Sequence, residues 1–236
     1  MNRVLPLKYI TSFLLLLSFC GFAQESELSE GEIDSLRQTN WGFRVGINII
    51  PPLLSIINKE DQGIEIIGDY RFKQNWYFAA EVGTQSYFGT EDFFDYNSKG
   101  NFAKIGVNYN AYNNWLDMNN EIFIGGRYGF ANFTQQVTEV TYYNSETYFP
   151  DYTFNPESAE SDRLNAHWFE MVAGLKVETF KNLFLGVQVA FSKIITEDQP
   201  EGFENLYVPG IGRTSVNNIG TRFSYTISYL IPFKKK

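Results

Sequence analysis

The sequence predicts an all-β fold: an eight-stranded antiparallel up-and-down transmembrane β-barrel of the outer-membrane type. Three observations predict it. Apolar and polar residues alternate with period two through eight segments from Trp41 onward. The connections between these segments alternate short and long, and the polar faces carry six cations and six anions.

Two stretches of different character precede the barrel. Residues 1–23 place basic Arg3 and Lys8 before an apolar run from Ile10 to Phe19 and end on Gly21-Phe22-Ala23, the pattern of a secretory signal peptide cleaved after Ala23. The only cysteine, Cys20, falls inside it, so no disulfide is expected in the exported chain. Bulky Phe19 stands where a lipoprotein anchor needs a small residue. Residues 24–40 form an acidic periplasmic leader without aromatics, with Ser29 and Glu32 spaced as a capping box before Ile33 and Leu36. Cleavage moves the net charge from −8 to −10, which makes nucleic acid an unsuitable partner.

The barrel spans 41–236. Residues 41–50 put Trp41, Phe43, Val45, Ile47 and Ile49 on one face and Gly42, Arg44, Gly46 and Asn48 on the other. The same alternation returns at about 64–73, 77–87, 101–111, 120–134, 164–179, 183–195 and 217–233. These lengths suit tilted strands, which need roughly 9–11 residues to cross a bilayer. Short connections at 73–76, 112–119 and 181–183 fall at one end with both termini; long ones at 51–63, 88–100, 135–163 and 196–216 fall at the other.

Alternation alone does not say which face is inside, so a soluble lipocalin-like barrel is the competing fold. Aromatics near strand ends (Trp41, Tyr70, Phe72, Trp76, Tyr109, Tyr128, Phe130, Tyr229, Phe233) read as interfacial girdles and favour lipid outside. Glycines concentrated on the polar face fit a crowded interior in which missing side chains make room for charged ones. The polar-face charges are Arg44, Arg71, Lys104, Arg127, Lys176 and Arg222 against Glu65, Asp69, Glu81, Glu121, Glu170 and Glu178. Balanced charge suits a desolvated lumen of paired ions, and eight strands enclose only enough space for side chains. Passive diffusion of solutes is therefore not expected.

Catalysis finds little support. The exported chain has one histidine, His167, at the start of the sixth strand, where it reads as an interfacial residue beside Trp168. A pairing with Asp151 or Asp162 would be needed for lipid-modifying chemistry and matches no motif. A single histidine disfavours a transition-metal site, and no cofactor or metal is expected. The loops are acidic and aromatic, and 135–163 is long enough to fold over the barrel mouth. In the last strand Tyr225, Ile227, Tyr229, Ile231 and Phe233 form an aromatic-rich insertion signal for barrel-assembly machinery, and this strand closes against the Trp41 strand.

The stretches LNAHWFEMVAGLKVETFKNLFLG (164–186), NLYVPGIGR (205–213) and SYTISYLIPF (224–233), with GDYRF (68–72) and MNNEIFIGGRYGF (118–130), resemble a domain-of-unknown-function family of small Gram-negative outer-membrane barrel proteins. The resemblance covers roughly Trp41 to Phe233 and implies location and architecture. It brings no activity or catalytic residues. The expected role is a non-enzymatic structural or interaction subunit of the envelope. Its expected partners are outer-membrane lipid, the assembly machinery and an envelope protein met through the surface loops or residues 24–40. A gated small-solute or ion transporter and a lipid-modifying enzyme using His167 are the alternatives.

Overall fold

The structure, a computed structural model, describes residues 41–57, 60–112, 119–143, 151–154, 156, 163–200, 204–213 and 217–233. The expected signal peptide and acidic leader lie outside the described residues.

Eight strands close into a ring: β1 (Gly42–Asn48), β2 (Asp61–Lys73), β3 (Trp76–Thr90), β4 (Phe94–Asn110), β5 (Glu121–Tyr142), β7 (Leu164–Phe180), β8 (Leu183–Glu197) and β11 (Ile219–Pro232). Each pairs antiparallel with its chain neighbour in the ring. The first and last strands complete the circle from Gly42↔Pro232 to Asn48↔Thr226, and Phe233 N–H donates to the Trp41 carbonyl at 2.8 Å. Closure leaves no open edge within the ring, so every strand there satisfies its backbone on both sides.

Period two in sequence becomes inside and outside. On β1 the residues alternate buried and exposed throughout, and on β11 Gly220, Ser224, Thr226, Ser228 and Leu230 are buried between outward Phe223, Tyr229 and Ile231. All nine girdle aromatics face outward and are exposed. Some pack laterally, Trp76 on Tyr109 at 5.1 Å and Tyr70 on Phe233 at 6.2 Å. One end of the ring carries the two-residue turns 74–75 and 181–182 and both strand termini. In the second turn Asn182 adopts φ 65°, which a short amide side chain tolerates.

The other end departs from the expected long loops. Connection 88–100 is mostly strand: β3 and β4 continue paired to Thr90↔Asp95, leaving 91–93 as the turn. Tyr96 drives this extension inward. Its fully buried ring fills the space where a Cβ on Gly89 would fall, at 2.4 Å. β5 likewise runs on to Tyr142 and pairs there with the short β6 (Tyr152–Phe154), so the described part of 135–163 is an extended hairpin. The 51–63 connection holds helix α1 (Ile50–Ile57), anchored by buried Pro51. The last connection carries β9 (Tyr207–Val208) and β10 (Gly212–Arg213), a tight hairpin of its own.

Candidate functional site

The lumen is built from residues that face each other across neighbouring strands. Arg44 is the register partner of Asp69, Glu81 of Lys104, Arg127 of Glu170, and Glu121 of Lys176. Directly opposed side chains on one face sit close enough to interact. Alternation points all of them inward, so ionic complementarity is already set in the register.

Three charge-neutral networks result. In the one nearest the short turns, Arg44 Nε lies 2.7 Å from Asp69 and its Nη1 2.8 Å from Glu121, while Lys176 Nζ pairs with the other Asp69 oxygen. In the middle, Lys104 Nζ lies 3.1 Å from Glu170 and 3.4 Å from Glu81; Arg127 Nε also reaches Glu81 at 3.4 Å, and Ser192 Oγ donates to Glu170 at 3.0 Å. In the third, Arg222 pairs with Glu65 at 2.7 Å, and the Asn48 amide donates to the same Glu65 oxygen at 2.7 Å. Aromatic rings separate the layers: Arg44 lies over Tyr77 and Phe184, Lys176 over Phe123, and Lys104 and Arg222 over Phe102.

Two of the twelve expected lumen charges stand outside these networks. Arg71 is buried near the short-turn end over the Trp41 and Tyr77 rings and donates to the Gln74 carbonyl; no carboxylate ion-pairs with it among the described residues. Glu178 organises the β7–β8 turn. It accepts the Asn182 backbone N–H at 2.7 Å and the Asn119 amide at 2.6 Å. Its position at the strand end, where the chain must reverse, gives it one backbone N–H and one side-chain amide donor in place of a cation.

The glycines also serve differently from the expectation. Three make room for aromatic rings: a Cβ on Gly83 would meet Phe102 at 2.6 Å, one on Gly129 would meet Trp168 at 2.0 Å, and one on Gly174 would meet Phe123 at 2.7 Å. Gly125, beside Asn108 and the Arg127 guanidinium, follows the expected pattern.

At the long-loop end, residues 204–213 fold back into the mouth. Val208 and Ile211 are buried with Phe102, Ala131, Phe133, Leu164, Ala166, Trp168 and Ile194 in one apolar cluster. Tyr207 stacks on Tyr87 at 4.3 Å. Wall side chains bind the plug's backbone: Ser98 Oγ donates to the Tyr207 carbonyl, Gln135 spans the Glu204 carbonyl and Leu206 N–H, Gln85 accepts Gly210 N–H, and Arg222 Nη1 donates to the Gly210 carbonyl at 2.9 Å. Gly210 and Gly212 hold φ of 88° and 102°, which side chains rarely adopt. The sequence reading missed this plug and assigned the covering role to 135–163. Its signal was present in NLYVPGIGR, an apolar cluster with two turn glycines inside an otherwise polar connection.

His167 faces the barrel's exterior. Its Nδ1 lies 2.8 Å from Tyr128 Oη and its ring 4.9 Å from that of Phe130. No carboxylate hydrogen-bonds it among the described residues, and Asp162 lies outside them. No group of three or more potential metal ligands occurs among the described residues.

The model of a family described as a domain of unknown function, DUF6048, matches residues 6–236. Among solved structures the chain is similar to Ail, the attachment invasion locus protein of Yersinia pestis, with 8% identity and a TM-score of 0.40; the match covers 81% of this chain and 99% of that one. No curated protein matches.

Proposed function

The chain belongs to the DUF6048 family, and we propose that it is an integral outer-membrane barrel with a sealed lumen, a non-enzymatic interaction component of the envelope. The observation that carries this reading is the occupied interior. Three neutral ion networks, their intervening rings and the 204–213 plug fill the space that eight strands enclose. An apolar exterior between aromatic girdles supports the membrane placement. With short turns and both strand ends on the periplasmic side, the β3–β6 extension stands outside the cell. Tyr225, Ile227, Tyr229, Ile231 and Phe233 would then direct insertion.

The extension supplies the contact surface. Phe93, Tyr142, Tyr143 and Tyr152 are each about 60% exposed and cluster in pairs, Phe93 with Tyr143 and both Tyr142 and Tyr152 with Phe154. Clustered aromatics of this kind serve as contact anchors. A photo-crosslinking residue at Tyr152 is expected to give one discrete adduct in intact cells, while the same residue at Lys73, at the opposite end, gives a different product or none. Equal labelling from both positions would count against the assignment.

Gated passage of a small solute or ion is the second reading. One observation favours it: the plug is held to the wall by side-chain hydrogen bonds, which can break without dismantling the ring. Planar-bilayer recording separates the two readings. A silent wild-type barrel fits the interaction component, and current from the unmodified protein fits the transporter.

A further inference from the structure

Lys193 breaks the apolar exterior of β8. Outward residues Leu185, Val187, Val189 and Phe191 precede it, and it is the first charged side chain on that face. Its ammonium is exposed, donates to the Asn217 carbonyl, and has no carboxylate within ion-pair distance among the described residues. Ten of the lumen charges compensate one another inside, whereas the Lys193 ammonium has a backbone carbonyl as its partner and a face open to the exterior. It lies ten residues along the strand from Leu183, which pairs with Tyr229 of the short-turn girdle. At barrel tilt this separation is about 25 Å, the height of a barrel's apolar band. Lys193 therefore stands at the outer-leaflet boundary, where an ammonium meets lipid phosphates.

A groove of about 750 Å³ runs across the same wall. Outward Ile105, Tyr128, Phe169, Met171 and Phe191 line it, with Lys193 at its border. Gly126 makes it possible. This residue faces outward between its register partners Val107 and Met171, and a Cβ placed there would meet nothing within 4 Å. Phe169 is the register partner of Lys193, so the apolar floor and the cation belong to one row of the sheet.

Resting on the membrane reading above, we infer that the groove over Gly126 and the Lys193 ammonium form a site for an outer-leaflet phosphoglycolipid of the lipid A class. An acyl chain lies in the groove and a phosphate meets Lys193. The choice of this lipid follows from the level of Lys193, since its charge faces the outer leaflet and not the periplasmic one.

The test uses the full barrel in mild detergent, titrated separately with lipid A and with phosphatidylglycerol and followed by native mass spectrometry. Lipid A is expected to bind saturably and in preference to phosphatidylglycerol. Lys193→Gln weakens it about fivefold, the loss expected for one surface cation; Lys193→Arg retains it, and Gly126→Trp lowers it by filling the groove. Unchanged binding by Lys193→Gln, or equal binding of phosphatidylglycerol, overturns the site. Dimers in place of lipid adducts, abolished by Gly126→Trp, would give the groove to a second copy and also overturn it. Heat-modifiable gel migration runs in parallel: its retention without lipid binding overturns this site alone, whereas its loss overturns the membrane barrel and the site together.

Discussion

Arg222 of β11 and Glu65 of β2 meet at 2.7 Å across the intervening β1, and the same guanidinium holds the Gly210 carbonyl at 2.9 Å. Arg222 is thus the charged member of the set, with Ser98, Gln85 and Gln135, that ties the plug to the wall. Arg222→Met, made together with Glu65→Gln so that no buried carboxylate is left without its cation, removes both contacts. Losing a charge-assisted hydrogen bond of about 1.5–3 kcal/mol should speed local opening roughly 10- to 100-fold. Hydrogen-exchange mass spectrometry should find this acceleration in residues 204–213 while exchange in β1 and β8 stays slow.

Lys104 holds two carboxylates, Glu81 and Glu170, in a buried setting. Lys104→Met leaves them with less compensation, at a cost of about 3–5 kcal/mol. The double variant Lys104→Met, Glu170→Gln restores neutrality and should recover part of the loss. Urea unfolding in detergent, read by tryptophan fluorescence, checks both values.

Two neighbouring glycines should respond oppositely. Gly129→Val drives a branched side chain into the Trp168 ring, 2.0 Å from its Cβ position, and overpacking of this kind costs about 1–3 kcal/mol or more. Gly126→Val extends into open space and should stay within about 0.5 kcal/mol of wild type. The same unfolding assay compares them.

Alkaline pH should loosen the outer mouth. Burial pushes the Tyr96 phenol up to about 12, outweighing the nearby Arg213 guanidinium. The folded chain holds that proton more tightly than the unfolded chain, whose phenols titrate near 10. The resulting stability is complete below about pH 10 and is lost as pH rises towards about 12. Near-UV difference absorbance between wild type and Tyr96→Phe should isolate a transition of one phenolate in this window.

Much of the barrel was legible in the sequence because one physical rule repeats along it. A strand between two environments alternates, so the lumen residues Arg44, Asp69, Glu81, Lys104, Glu121, Arg127, Glu170 and Lys176 could be assigned to one face from parity alone. Pairing partners were less legible, because they depend on register, which parity does not contain. Arg71 and Glu178 share the right parity, yet they lie near strand ends where turn backbone supplies other partners. The outer hairpins were hidden for a different reason. Above the apolar band the outward face turns polar at Asn97, Lys99 and Asn101 while inward Tyr96 and Phe102 are apolar, so β4 continues with its polarity inverted relative to its lower half. The plug was hidden because its apolar residues are buried by distant strands, a contact that local pattern does not encode.

The most direct test of a sealed barrel facing lipid is nitroxide accessibility along β8, in a chain whose Cys20 is replaced by serine. Single cysteines would be labelled at outward Val187, Val189 and Phe191 and inward Gln188, Ala190 and Ser192. Outward labels should collide with oxygen and little with a water-soluble nickel chelate; inward labels should collide little with either. Nickel access at the outward positions would contradict the membrane face, and nickel access at the inward positions would contradict the closed lumen.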